Sequence, residues 1–181
     1  MKKLLSIITI LMVISSCSTT REAKSSRIEL RKEKKLAQQF MVRKAVESRR
    51  FIVRFDRIYF SYGGIVNLVP RANFIIVDGE TAIISTAYIG RQYNFRPIAG
   101  ITMKGKTITY NLTEDSLKGK YELDMKVNSR TDSFDVYLTI GKDGSCNVSL
   151  SSIRINNARY SGHIVPIGEK KVSIPEKGEI I

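Results

Sequence analysis

The chain has no tryptophan, one histidine (His163) and two cysteines (Cys17 and Cys146) among its 181 residues. So few His and Cys side chains leave no cluster for a structural zinc and no disulfide framework, and no metal or other cofactor is expected. Neither a Walker loop nor a GxSxG or HExxH motif occurs, which removes the hydrolase and nucleotide-binding classes that carry them. Four prolines and 12 glycines are too few for a collagenous or low-complexity chain. No apolar run is long enough to cross a bilayer. The longest, Leu4 to Ile14, has 11 positions and includes Ser6 and Thr9, against the roughly 20 residues a spanning helix needs. What remains is ordinary globular composition, 43% hydrophobic and 26% charged, at a length that fits one main domain.

Lys2 and Lys3 precede that apolar run and Ser15-Ser16 follow it, the pattern of a secretory signal over residues 1–16. Ile14-Ser15-Ser16-Cys17 resembles a bacterial lipobox, a branched apolar residue and two small ones before the cysteine that is lipidated. Cys17 is therefore expected to carry diacylglycerol and hold the chain to a membrane, with 17–25 as anchor and short tether. Ser18 follows it, and no acidic run appears before Arg21. By resemblance to lipoprotein sorting signals this implies the outer membrane, facing the periplasm. Cys146 is then left without a partner. It shares parity with Val148 and Leu150, so it reads as a buried core residue rather than a nucleophile.

The formal charge of +13 is unevenly spread. Taking Lys2 and Lys3 from the 30 basic residues leaves 28 against 17 acidic ones, or +11, and Arg21 to Arg50 alone holds eleven basic and four acidic residues, or +7. An exported chain with a nearly balanced body is not a nucleic-acid binder. The basic stretch predicts a helix over 26–49, with Ser26 and Glu29 as a capping box and no Gly or Pro inside. Leu36, Phe40, Met41 and Ala45 are expected to form its buried stripe, with Val42 and Val46 at the edge. The eight tether residues Ser18 to Ser25 reach at most about 30 Å, which keeps Arg31, Lys32, Lys34 and Lys35 near lipid headgroups.

From Phe51 the period changes from 3.6 to 2. Tyr121, Leu123, Met125 and Val127 alternate with Glu122, Asp124 and Lys126; Phe134, Val136, Leu138 and Ile140 alternate with Ser133, Asp135, Tyr137 and Thr139; Ile108, Tyr110 and Leu112 alternate with Thr107, Thr109 and Asn111. Each segment predicts a strand with one wet and one dry face. Hairpin turns are expected at Asp78-Gly79-Glu80, Lys104-Gly105-Lys106 and Gly141-Lys142-Asp143-Gly144. Residues 73–77 and 82–84 are apolar on both parities, which predicts cover on both faces, supplied by the basic helix. The dry parity slips between Phe55 and Ile58, the mark of a bulge or a sheet bend. Segments near 51, 65, 73, 81, 92, 101, 107, 121, 133, 145 and 158 predict a mainly β domain over 50–167, an antiparallel sandwich or barrel-like sheet preceded by one amphipathic basic helix. Residues 168–181 read as a tail.

Phe51-Ile52-Val53 after a charged helix, Asn73-Phe74-Ile75-Ile76-Val77 with its Gly turn, Ala87-Tyr88-Ile89-Gly90, Gly119-Lys120-Tyr121, Tyr137-Leu138-Thr139-Ile140 before Lys-Asp-Gly, and Tyr160-Ser161-Gly162-His163-Ile164 together resemble the bacteroidete lipoproteins grouped as domain of unknown function 4251. The resemblance covers about Ala37 to Ile167. It implies a predominantly β, envelope-anchored domain and supplies no catalytic or binding residue.

Candidate chemistry is sparse. His163 lacks a local nucleophile and orienting group and reads as an exposed strand residue; Arg54, Asp56 and Arg57 read as an exposed charged face. The chain is expected not to be an enzyme. Asn111-Leu112-Thr113 and Asn147-Val148-Ser149 match a glycosylation sequon that the bacterial address makes accidental. Asp115-Ser116-Leu117 resembles the bacteroidete O-glycosylation acceptor, which makes Ser116 a candidate in a polar loop. Tyr59, Tyr62, Tyr88 and Tyr93 cluster near glycine-rich turns and are candidates for the rim of a small-ligand site. The expected function is a structural or protein-interaction module docking an envelope protein, with small-ligand binding as the alternative.

Overall fold

Residues 19–60, 63–88, 99–152 and 157–168 are described by the computed structural model of the chain. Cys17, Tyr62, Tyr93, the segment expected near 92, the side chain of Tyr88 and nearly all of the 168–181 tail lie outside the described residues.

A stretch free of Gly and Pro and rich in Ala, Glu, Lys, Arg and Gln gives α1 (Thr19–Glu47), which begins before the expected cap, so that Ser26 lies inside it. The chain divides into two compact units, Met1–Ala37 and Gln38–Ile181. In the first, Arg31, Lys32, Lys34 and Lys35 are all exposed. In the second, the buried face of α1 is Val42, Ala45 and Val46, whereas Phe40 and Met41 are 65% and 51% exposed. The expected stripe of Leu36, Phe40, Met41 and Ala45 is thereby corrected. The helix packs over the Gly144 turn, where a Cβ would lie 3.5 Å from Val42 and 3.7 Å from Gln38. The helix ends where Ser48 N–H donates to the Lys44 carbonyl at 3.0 Å and Arg49 turns left-handed at φ 55°. The Arg49 carbonyl then accepts from Gly79 N–H at 2.9 Å.

Among the described residues nine strands follow: β1 (Arg50–Tyr59), β2 (Ile65–Asn67), β3 (Phe74–Asp78), β4 (Thr81–Tyr88), β5 (Ala99–Asp115), β6 (Lys120–Asn128), β7 (Ser133–Gly141), β8 (Ser145–Ser152) and β9 (Ala158–Pro166). All pair antiparallel with their sequence neighbours except that β1 carries both β2 and β3 along one edge. Its other edge pairs with β9. That pairing closes β1 and β3–β9 into an eight-stranded barrel, so the barrel and not the sandwich is the architecture. The parity slip in β1 is a register shift between Phe55 and Arg57 against β9, as expected.

One of the three expected turns is not a turn. Lys104-Gly105-Lys106 runs through the middle of β5, with Lys106 paired to both Thr81 of β4 and Asn128 of β6. A Cβ on Gly105 would lie 2.4 Å from the Asn128 carbonyl oxygen, so glycine is there for a close strand approach. A second register shift between Thr107 and Thr109 swaps the faces, which is why Ile108 is 58% exposed rather than in the dry row with Tyr110 and Leu112. Beyond Lys106, β5 outruns β4. There the end of α1 packs against it: the Tyr110 hydroxyl donates to the Val46 carbonyl at 2.6 Å, and the Arg49 guanidinium lies 4.6 Å from the Tyr110 ring centre.

Inside the barrel alternate residues fill the space. Phe51, Val53 and Phe55 of β1 and Phe134, Leu138 and Ile140 of β7 are fully buried, as an eight-stranded barrel with an interior just wide enough for side chains requires. Val42, Ala45 and Val46 join this interior cluster, while the cross-strand pair Ile76 and Ile83 stands outside it. Both are 8% exposed, so these strands are buried on both faces as expected, but the helix packs with the interior rather than with that outward pair.

Candidate functional site

The interior of the barrel is filled with buried side chains, and two grooves among the described residues are open ones. β7, β8, β9 and β1 are consecutive around the barrel, and their register lines up outward side chains in rows. Tyr137 faces Ser149, Ser149 faces Arg159, and Arg159 faces Tyr59; in the next row Thr139 faces Asn147, Asn147 faces Ser161, and Ser161 faces Arg57. Between the two tyrosines lies an open groove of about 380 Å³ lined by Tyr59, Tyr137, Thr139, Asn147, Ser149 and Arg159, with Val148 and Tyr160 beneath. This volume falls at the small end of the roughly 300–1,000 Å³ typical of ligand sites.

Both tyrosines are held. The Tyr59 hydroxyl lies 3.0 Å from Ser161 Oγ. That hydroxyl contact first, and then the Arg57 guanidinium, lower the Tyr59 phenol below its ordinary value. Tyr137 is 43% exposed, and its phenol assists the Lys120 ammonium, the larger cause, in holding the Glu122 carboxyl below the usual carboxylate range. The groove lining contains no Asp or Glu. Arg159 pairs with no carboxylate among the described residues. Along the same face His163 Nδ1 lies 3.2 Å from Asp56 Oδ2, both side chains about half exposed.

A second groove of about 400 Å³ runs between Ile101–Lys104 and Ser129–Phe134. Much of its polar lining is spent on the β6–β7 turn itself: Ser129 N–H donates to the Asp132 carbonyl at 2.9 Å, and the Asp132 carboxylate accepts from Ser133 N–H at 2.8 Å. That leaves the tyrosine groove as the better-equipped surface.

Of the four expected rim tyrosines, Tyr59 lines the groove; Tyr62 and Tyr93 lie outside the described residues, and Tyr88 ends β4. Tyr137, which the wet parity of β7 assigned to solvent, is the groove's second aromatic. The signal for it was an aromatic standing alone on a polar face. Ser116 is exposed and Leu117 wholly so, in the β5–β6 turn, where Asp115 Oδ1 accepts from Lys118 N–H at 3.0 Å. Cys146 is buried, and burial, aided by the charge of Asp56, pushes its thiol up to about 12. No three His, Cys, Asp or Glu side chains come together as a metal site among the described residues. Nor is any described helix long and apolar enough to cross a membrane.

A crystal structure of a DUF4251 family protein from Bacteroides eggerthii is similar to this chain at a TM-score of 0.63 and 17% identity, over 72% of this chain and 88% of that one. Among curated proteins none matches. The model of a domain of unknown function, DUF4251, matches residues 32–164, and with that match spanning the C-terminal half of α1 and nearly all of the barrel, the chain belongs to the DUF4251 family.

Proposed function

We propose that the protein is a non-enzymatic recognition module of the cell envelope that engages its partner through the outer face of β7, β8, β9 and β1. The observation that carries this reading is the contrast between a barrel interior packed with Phe51, Phe55, Phe134 and Tyr160 and an open groove outside it. A barrel that carries a ligand within its cup needs an empty interior. The non-enzymatic part is supported by the chemistry of the scarce reactive groups: a thiol that stays protonated at neutral pH and a histidine tied to Asp56 on a convex face.

Lipidated Cys17 holds the module to the outer membrane on its periplasmic side in this reading. Arg31, Lys32, Lys34 and Lys35, all exposed on α1, then lie against anionic headgroups, each adding on the order of 1 kcal/mol. Ser116, exposed in its turn, is the proposed O-glycan acceptor; an intact mass equal to the unmodified lipoprotein in the native host would remove that assignment.

The test of the outer face is photocrosslinking in intact cells, with a photoreactive residue at position 137 of the full chain and, as control, at position 126 on the neighbouring wet face of β6. A defined product from 137 that disappears with Arg159→Gln supports the reading. Equal products from both positions, or none from 137, contradict it.

A further inference from the structure

The make-up of the outer groove narrows what it can hold. Tyr59 and Tyr137 stand on β1 and β7 with two strands between them, about 14 Å apart at the backbone for strand steps of roughly 4.8 Å. The floor between them carries Thr139, Asn147 and Ser149, short side chains that offer donors and acceptors without filling the space. Arg159 rises from the same floor, Arg57 lies beside the Tyr59 phenol, and no carboxylate lines the groove. An apolar peptide segment finds no anchor pocket here, because the one aliphatic lining residue, Val148, is 2% exposed. A small inorganic anion would use the guanidinium and leave both aromatic faces unused. A saccharide uses everything present. Its C–H faces meet the negative faces of the tyrosine rings, its hydroxyls match the amide and hydroxyl floor, and a carboxylate on one unit matches the planar fork of Arg159. The Tyr59 ring is already fixed through its hydroxyl contact with Ser161, which lowers the ordering cost of binding.

We infer that the groove bounded by Tyr59 and Tyr137 binds an anionic oligosaccharide, with sugar rings against the two tyrosines and a carboxylate on Arg159. This rests on the reading of the outer face as the recognition surface, and names its ligand class.

The test is calorimetric titration of the full chain in detergent with trigalacturonate, maltotriose and inorganic phosphate, for the native protein, Arg159→Gln, Tyr137→Ala and the control Lys126→Gln. Trigalacturonate is expected to bind the native and control proteins and to lose about tenfold or more in affinity in each groove variant, the usual worth of a charged hydrogen bond or a buried ring face. Maltotriose binds more weakly, and phosphate gives no heat. Thermal unfolding of each variant, expected to stay a single cooperative transition well above the titration temperature, separates lost binding from lost folding. Phosphate or maltotriose binding as tightly as trigalacturonate, trigalacturonate binding untouched by the groove variants, or no trigalacturonate binding at all, each overturns the inference. If trigalacturonate fails while the Arg159-dependent crosslink from position 137 persists, the glycan is wrong and the recognition surface stands; if both fail, both are wrong.

Discussion

The rings of Phe55 and Tyr160 lie stacked across the β1–β9 seam, centroids 4.5 Å apart and planes 18° from parallel, with the Tyr160 hydroxyl donating to the Ala87 carbonyl at 3.1 Å. One side chain thus ties the closing seam to β4 on the far side of the interior. Tyr160→Phe keeps the stack and removes one of two hydroxyl donors to that carbonyl, the Thr86 hydroxyl at 3.1 Å being the other, for a loss of about 1 kcal/mol or less. Tyr160→Ala opens a cavity in the filled core and costs about 3–5 kcal/mol. Urea unfolding followed by far-UV dichroism measures both, and equal losses in the two variants would show that the ring itself contributes nothing.

Closure of the barrel depends on Gly162 at the β1 bulge. A Cβ there would lie 1.9 Å from the Arg54 carbonyl oxygen and 3.0 Å from the Phe55 Cα, backbone atoms that cannot move without breaking the seam. Gly162→Ala is expected to destabilise by about 3 kcal/mol or more. Gly100→Ala in β5, where nothing stands within 4 Å of the added carbon, is the control and is expected to leave the unfolding midpoint nearly unchanged.

Much of this fold is legible in the sequence. The alternations in β6 and β7 and the slip after Phe55 are local patterns with local causes, and each lies where its period predicts. The misreadings share another cause. Lys104-Gly105-Lys106 has turn composition, but its glycine answers to the Asn128 carbonyl 23 positions away, a contact no local window contains. On α1, two stripes overlap at Ala45, and only the tertiary packing decides that Val42 and Val46, not Phe40 and Met41, are the buried ones. The choice of barrel over sandwich hangs on the β1–β9 pairing, the longest-range one in the chain. The groove escaped for the same reason, since Tyr59 and Tyr137 come into one row only through the registers of β8 and β9.

Stability should fall in alkali. Burial first, with Asp56 adding to it, raises the Cys146 thiol from 9.0 to about 12. Burial raises the Tyr160 phenol from 10.0 to about 12, against a small opposing contact with Thr86. Both groups are neutral in the folded protein and ionise earlier when unfolded, so their contribution is complete below about pH 9 and is lost as pH rises toward 12. The slope is about 1.4 kcal/mol per pH unit for each group once its unfolded form ionises. In Cys146→Val the decline starts nearer pH 10. Unfolding midpoints recorded from pH 8 to 11 check this, and a flat profile would contradict the burial of both groups.

The central claim, a closed interior with recognition on the outer face, is tested most directly by amide chemical-shift mapping of the full chain during titration with trigalacturonate. Perturbations are predicted at Tyr137, Ser149 and Arg159 and their row neighbours Asn147 and Ser161, with Ile84 and Met125 in the interior unmoved. Shifts concentrated at those interior positions, or at Lys104 and Arg130 in the second groove, would contradict it.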